Sequence, residues 1–313
     1  FKENGGSVLS TTFDKYCYVN VRHLPRFFDY STELSYSKTE RVTSIDAIEH
    51  PAIRNAMKML DMHEIRLTYE ADLPARSGLG TSSSFAVGML NAFYALKGKY
   101  ASKKQLADEA IYLERVLCNE AGGWQDQIAA SFGGFNRIDF NADGYTVHPV
   151  IVSPERKQQL NNNLMMFFTG FTRFSSEIQK ANKLDDESKT KQLKQMLTLV
   201  DEAESILTDQ SKDLDDFGRL LDVTWKLKRQ TGKSVSTSNI DNLYDKGISA
   251  GALGGKLLGA GGGGFLVFYV TPDKQAAVKE AMKDLLYIPF KFEDSGTQVI
   301  YYGPEDYSPV EVE

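Results

Sequence analysis

Apolar and polar positions alternate along the chain in a way that marks out short strands and amphipathic helices. Ser7–Val21 (SVLSTTFDKYCYVNV) is rich in Val, Thr and aromatic residues and predicts a strand, as does Thr32–Val42 (TELSYSKTERV). Ile53, Ala56, Met57 and Leu60 recur at helical spacing, so a short amphipathic helix is expected over His50–Leu60. Glu64–Glu70 alternates with period two and reads as a half-buried strand. The apolar run Ser83–Leu96 and the segment Lys103–Leu117 have the length and composition of helices. Phe132–Phe140 and Tyr145–Val150 read as paired strands joined by a turn at Asn141–Gly144.

Beyond the polar stretch Ser153–Asn163, Leu164–Thr169 predicts a short buried strand. Ser175 to about Asp222 is helical in composition and heavily charged, and Gly264–Val270 is a strongly apolar strand. Lys274–Leu286 is helical, and strands are expected over Pro289–Glu293 and Gln298–Tyr302. Helices layered on sheets predict an α+β architecture. A chain of 313 residues, 42% hydrophobic, suggests two domains, divided in the polar stretch into 1–155 and 156–313.

Composition narrows the function classes. Charged residues are 25% of the chain and the formal net charge is -6, which argues against non-specific nucleic-acid binding. No run of about 18 apolar residues is present, so no membrane span is predicted. The start of the chain lacks a basic-then-apolar signal region. Cys17 and Cys118 are too few and too distant for a disulfide framework, and two reduced thiols in the cytoplasm are expected. His23, His50, His63 and His148 are scattered without metal-type spacing. Phe1–Gly6 runs straight into the first strand with no initiator methionine, so residues upstream of Phe1 are expected.

Three segments carry candidate chemistry. In Leu73–Gly88 (LPARSGLGTSSSFAVG) a strand ends, Gly78 and Gly80 permit close backbone approach, and Thr81, Ser82 and Ser83 open a helix. Free N–H groups and the positive end of a helix dipole meet there, which suits an anion. Alone, such a loop is as often an ordinary capped helix. It is not a Walker loop, because Gly80 is followed by Thr81, and Gly254-Gly255-Lys256 is followed by Leu257 with Ala250 in the first glycine's place. HRD, DFG and GxGxxG patterns are also lacking around it. The second segment is Gly122–Gly134 (GGWQDQIAASFGG), where Asp126 lies between two glutamines, with Glu114 upstream on the predicted helix. Two carboxylates there can serve a metal and a proton, although Glu114 can equally be half of a surface ion pair with Arg115. The third is Lys256–Phe268 (KLLGAGGGGFLVF), where Gly261–Gly264 lead into a buried strand, so the backbone either approaches something closely or forms a tight loop packed against a helix.

Together the three segments resemble the galactokinase, homoserine kinase, mevalonate kinase and phosphomevalonate kinase (GHMP) superfamily, in order and spacing along nearly the whole chain. LPARSGLGTSSS is similar to its phosphate-binding loop, GWQDQ to the segment carrying the catalytic aspartate of its sugar kinases, and KLLGAGGGGF to its C-terminal glycine motif. The likeness is closest to the D-glycero-D-manno-heptose 7-phosphate 1-kinases, through GLGTSS, GGWQDQIAASFGGFN, FFTGFTRFSSEI and GAGGGGF. The resemblance implies a ribosomal protein S5 domain 2-like N-terminal domain with a left-handed βαβ unit and a ferredoxin-like C-terminal domain. It implies ATP with its phosphates on Gly78, Leu79, Gly80, Thr81, Ser82 and Ser83, Mg2+ on Ser82 and Glu114, and Asp126 as catalytic residue. Gly123, Asp126, Gly262 and Gly263 are expected to bind a small sugar phosphate, which the enzyme phosphorylates at the anomeric hydroxyl for nucleotide-activated heptose biosynthesis. Arg173 is the first candidate for the substrate phosphate, with Ser175 and Ser176; Lys226, Lys228 and Arg229 come second, unless they are a solvated basic helix face. A homodimer is compatible with the resemblance. The family's opening strand with its Arg and GGGTD-like stretch has no match from Phe1 onward. Two readings stay open: a fucokinase-like sugar 1-kinase acting on a free sugar, and a non-catalytic sugar or nucleotide sensor on the same fold, against which the intact Asp126 and Glu114 argue.

Overall fold

In the computed structural model, which describes residues 5–75, 77–170, 187–232, 235–259 and 261–304, the first predicted strand is two strands. β1 (Gly6–Phe13) and β2 (Cys17–His23) belong to different sheets and different compact units. At the break, side-chain bonds join the backbone pairing on either side. The Asp14 carboxylate accepts from the Lys291 N–H at 2.8 Å, and the Tyr16 N–H donates to Asp72 at 2.8 Å. One unit comprises Phe1–Asp14, Ala75–Leu79 and Gly134–Asp294; the other comprises Lys15–Pro74, Gly80–Gly133 and Ser295–Glu313.

The second of these units holds a sheet in the order β2-β5-β3-β4, formed with β3 (Thr32–Ser35), β4 (Thr39–Val42) and β5 (Ile65–Ala71). β3 and β5 run parallel and the other pairs antiparallel. The expected single strand over Thr32–Val42 is thus a hairpin, closed by Tyr36 N–H donating to Lys38 O at 2.9 Å. Helix α1 (Pro51–Met59) is capped by the His50 ring, and its buried Ile53, Ala56 and Met57 are the predicted face. Helices α2 (Thr81–Leu96), α3 (Lys103–Tyr112) and α4 (Gln125–Phe132) complete the unit. Its core joins Leu34, Leu67, Met89, Leu90 and Phe93, all fully buried.

The first unit holds two antiparallel sheets. One, in the order β12-β1-β6-β7, uses β6 (Phe135–Phe140), β7 (Tyr145–Pro149) and β12 (Phe292–Glu293). The other, in the order β11-β8-β10-β9, uses β8 (Leu164–Phe168), β9 (Gly254–Leu257), β10 (Phe265–Tyr269) and β11 (Leu286–Ile288). Helices α6 (Glu187–Thr208), α7 (Asp215–Gln230) and α8 (Ser238–Ser249) lie between β8 and β9 in the chain, and α9 (Gln275–Ala281) lies between β10 and β11. That is the ferredoxin-like β-α-β-β-α-β pattern expected of this half. Close approach of α7 to β9 depends on Gly254, where a Cβ would stand 2.0 Å from the Gly218 carbonyl oxygen.

The polar stretch Ser153–Asn163 is a helix, α5 (Pro154–Asn163), with Ser153 capping the Arg156 N–H and a proline in its first turn. The 155/156 division of the sequence falls inside it. Gln298–Tyr302 forms no strand, and Ile300 and Tyr301 are exposed there. Both cysteines are free and half-buried, and burial pushes the Cys17 thiol up to about 11. Among the described residues no helix is long and apolar enough to cross a membrane.

Candidate active site

Helix α2 begins without a side-chain cap: its N-cap is Gly80, in the left-handed region at φ 70°, and no side chain accepts from the first turn. The N–H groups of that turn have no intrahelical acceptor, so this end keeps the character of an anion site. Asp126, in the first turn of α4, sits against it. A Cβ on Gly80 would stand 3.2 Å from Asp126 Cβ and 3.3 Å from its Cγ.

Glu114 lies on a π-helical turn, Leu113–Leu117, that continues α3, with the Cys118 N–H donating to Leu113 O at 2.8 Å. Such insertions re-aim side chains and recur at functional sites. Here the turn points Glu114 inward, at 2% exposure, rather than into a surface pair. Ser82 Oγ donates to Glu114 Oε1 at 3.0 Å, Ser83 Oγ donates to Oε2 at 2.9 Å, and the Gln127 amide donates to Oε2 as well. Arg115 stands 3.8 Å from the same carboxylate. Its guanidinium also donates to Gly123 O at 3.0 Å and packs over Gly122, which ties the 120–123 loop down just ahead of α4. Gly123 itself has open space where a side chain would be.

Asp126 is open to solvent as a residue, yet its carboxyl is crowded by protein. That crowding is the main reason its pKa lies above the ordinary carboxylate value; a hydrogen bond from Gln125 opposes the rise and the charge of Glu114 adds to it. A carboxylate more basic than usual is suited to accept a proton.

In the other unit, Ser77–Gly78 packs on the glycine motif backbone to backbone. A Cβ on Gly259 would stand 2.5 Å from Gly78 O, and one on Gly264 would stand 2.1 Å from Ser77 O. Gly259, Gly261 and Gly264 therefore serve close packing, each at positive φ. Gly262 and Gly263 follow in the same buried loop, with Gly262 N–H donating to Val235 O at 3.1 Å. Lys228 of α7 reaches this loop and donates to Gly259 O at 2.6 Å. Its neighbours do not: Lys226 pairs with Asp222 and Arg229 with Asp241. Arg173, Ser175 and Ser176 lie outside the described residues.

Sequence reading gave no site role to Gln127 or Lys256 and took Arg115 only as a surface ion-pair partner of Glu114. Gln127 is visible only as the neighbour of Asp126. Lys256, on β9, entered only as part of a failed Walker pattern and as the first residue of the glycine motif, with no role of its own. Its signal is a charge set between Gly255 and Leu257, which both turn out buried.

The Ser82 hydroxyl and Glu114 carboxylate are hard oxygen donors of the kind Mg2+ takes, and no described group of three or more His, Cys, Asp or Glu residues competes as a metal centre. Mg2+ commonly uses one or two carboxylates and leaves the rest of its shell to phosphates and water, so these residues fit it.

The description GHMP kinases N terminal domain matches residues 46–134, and GHMP kinases C terminal matches 202–288. The D-glycero-alpha-D-manno-heptose 7-phosphate kinase of Campylobacter jejuni is 34% identical over 68% of this chain and 63% of its own length. The L-fucokinase/L-fucose-1-P guanylyltransferase of Bacteroides fragilis is 31% identical over 69% of this chain but only 23% of its own. The chain thus spans less than two thirds of either relative. The crystal structure of a D-glycero-D-manno-heptose 1-phosphate kinase from Bacteroides thetaiotaomicron superposes with a TM-score of 0.74, covering 93% of this chain and 89% of that one at 24% identity, and bears out the fold. With both family domains present in order and a relative 34% identical over 68% of this chain, this chain belongs to the GHMP kinase family.

Proposed function

We propose that the protein is an ATP-dependent sugar kinase that phosphorylates the anomeric hydroxyl of D-glycero-D-manno-heptose 7-phosphate, giving the 1,7-bisphosphate. The observation that carries this reading is the placement of Asp126 against Gly80 at the uncapped start of α2, with Glu114 held by Ser82 and Ser83 in the same unit. Phosphoryl transfer asks the protein for position and charge neutralisation rather than covalent chemistry. The loop Gly78–Ser83 offers backbone N–H groups to the nucleotide phosphates. Ser82 and Glu114 would hold Mg2+, which supplies charge neutralisation on the transferring phosphoryl group. Asp126 accepts the proton of the attacking hydroxyl, and an anomeric hydroxyl is acidic enough for a carboxylate to serve. Arg115 keeps the loop before α4, and with it Asp126, in place.

The heptose 7-phosphate assignment is supported by the Campylobacter relative and by the sequence likeness through TGFTRFSS. The Bacteroides fragilis relative favours a second reading, a kinase acting on free L-fucose or a similar sugar. An ATP-consumption screen across phosphorylated and free heptoses, hexoses and fucose separates the two. Fastest turnover with heptose 7-phosphate supports the first, fastest turnover with fucose the second, and no turnover with any sugar favours a sensor. Arg173→Ala, assayed with heptose 7-phosphate and the free heptose, tests whether that arginine reads the phosphate: selective loss with the phosphorylated sugar assigns it there, and equal loss makes it structural.

A further inference from the structure

Lys228 reaches the glycine motif with Lys256 near enough to feel its charge, and among the described residues no carboxylate pairs with either. Lys228 donates to the Gly259 carbonyl, and Lys256 stands on β9 opposite Val267 of β10, three residues before that glycine. Among the described residues neither lysine forms an ion pair, whereas Lys226 and Arg229 on the same helix as Lys228 both do. The two lysines sense each other: burial, and then the charge of Lys256, push the Lys228 amine down to about 7, and burial pushes Lys256 down as well. Both side chains are half-buried, so the repulsion is partly screened; like charges held near one another still destabilise the free protein, and an anion of opposite charge offsets that cost.

The loop beside them is short of acceptors. Gly261, Gly262, Gly263 and Gly264 are all buried. The Gly262 N–H reaches Val235 O and the Gly264 N–H reaches Thr169 Oγ1, but those of Gly261 and Gly263 have no described acceptor. The buried Ser77 hydroxyl, on the chain that packs against Gly264, also lacks one among the described residues. Buried donors left open in a native fold call for a ligand or water to complete them.

We propose that Lys228, Lys256 and the amides of Gly261 and Gly263 form a subsite for a phosphate dianion. Both a phosphosugar acceptor and the nucleotide carry that group. Assignment to the acceptor rests on the phosphosugar reading above; the subsite itself does not.

The test compares Lys228→Met and Lys256→Met with wild type and with Lys246→Met, which removes an exposed lysine elsewhere. Inorganic phosphate is titrated calorimetrically, and KM is measured for heptose 7-phosphate, the free heptose and ATP. Loss of one charged hydrogen bond should weaken inorganic phosphate by about 10- to 100-fold in both lysine variants. An acceptor phosphate is identified if KM for heptose 7-phosphate rises by that factor relative to the free heptose, and a nucleotide phosphate if KM for ATP rises instead. Lys256→Arg should retain phosphate affinity, because it retains the charge. Unchanged phosphate affinity in both Met variants, with every KM unmoved, overturns the proposal even if heptose 7-phosphate is the substrate. Lost phosphate affinity in an enzyme that never turns over heptose 7-phosphate upholds the subsite and defeats the substrate reading. The Met variants keep the apolar stem and relieve repulsion, so their thermal midpoints without added anion should not fall. A fall in both, with phosphate affinity intact in Lys256→Arg and in whatever Met protein stays folded, overturns the proposal by making the amines structural.

Discussion

Gly80 and Asp126 are in contact: the space a side chain on Gly80 would need ends 3.2 Å away at the Asp126 β-carbon. Two positions 46 residues apart in the sequence thus bring a candidate proton acceptor to the positive end of α2. The glycine is required twice there, for a left-handed φ of 70° and for the room the carboxylate occupies.

Gly80→Val should therefore weaken nucleotide binding and turnover together. A β-branched residue resists that φ and pushes on Asp126 while screening the helix N-terminus. A fluorescence titration with ATP showing wild-type affinity would place the phosphates elsewhere.

Asp126→Asn should lower kcat by about 10²–10⁴-fold, the usual loss when a general base is removed, with ATP affinity largely kept. The amide preserves shape but accepts the proton poorly. Steady-state kinetics beside calorimetric ATP binding check both halves, and near-normal kcat would remove Asp126 from the mechanism.

Much of this site was legible because its residues sit in contiguous motifs. Gly78–Ser83 had to leave a strand and start a helix, and α2 begins at Thr81. Period-two spacing placed β5, helical spacing α1 and an unbroken apolar run β10, each to within a residue or two. What escaped depended on partners far along the chain. Ser7–Val21 is uniformly strand-like in composition, and only the pairing of Asp14 with Lys291 and of Tyr16 with Asp72 splits it. The residues alone left Glu114 open between a metal ligand and half of a surface ion pair, since a π-helical turn leaves no mark on apolar periodicity. The glycine motif read as an approach to something unspecified. Gly259 and Gly264 in fact approach the Gly78 and Ser77 backbone, two motifs meeting that sequence order alone does not bring together.

Glu114→Gln should raise the Mg2+ concentration needed for half-maximal activity while leaving the fold intact. The glutamine keeps an oxygen for Ser82, while its NH2 stands where Oε2 accepted from both Ser83 and Gln127; the Ser83 hydroxyl can turn to accept, but the Gln127 bond is lost and the negative charge with it. Activity measured against Mg2+ reads this out, and an unshifted Mg2+ dependence would make Glu114 a structural acceptor for the serines.

Gly264→Ala should destabilise the protein by about 3 kcal/mol, since the methyl group meets the Ser77 carbonyl oxygen at 2.1 Å and φ is 113°. The atoms it meets are all Ser77 backbone, which cannot rotate away as a side chain would. A urea midpoint equal to wild type would mean that the loop slides without cost.

Asp126 should also cost stability at neutral pH. Its folded-state pKa is raised, chiefly by the crowding of protein around it, against a hydrogen bond from Gln125 and with help from the charge of Glu114. A carboxyl raised on folding holds its proton more tightly in the folded state. Its favourable contribution is fully present below the unfolded value, about 4, and is lost as pH rises through the folded one. Asparagine resembles the protonated acid and carries no such loss. Asp126→Asn should then melt above wild type at about pH 7.5, with the gap closing as pH falls toward about 4. Because the residue is open to solvent, the gap should be modest. Differential scanning calorimetry across that range measures it. An asparagine variant that melts below wild type at neutral pH would mean that the ionised carboxylate supports the fold, and that its basicity is not held in reserve for the sugar.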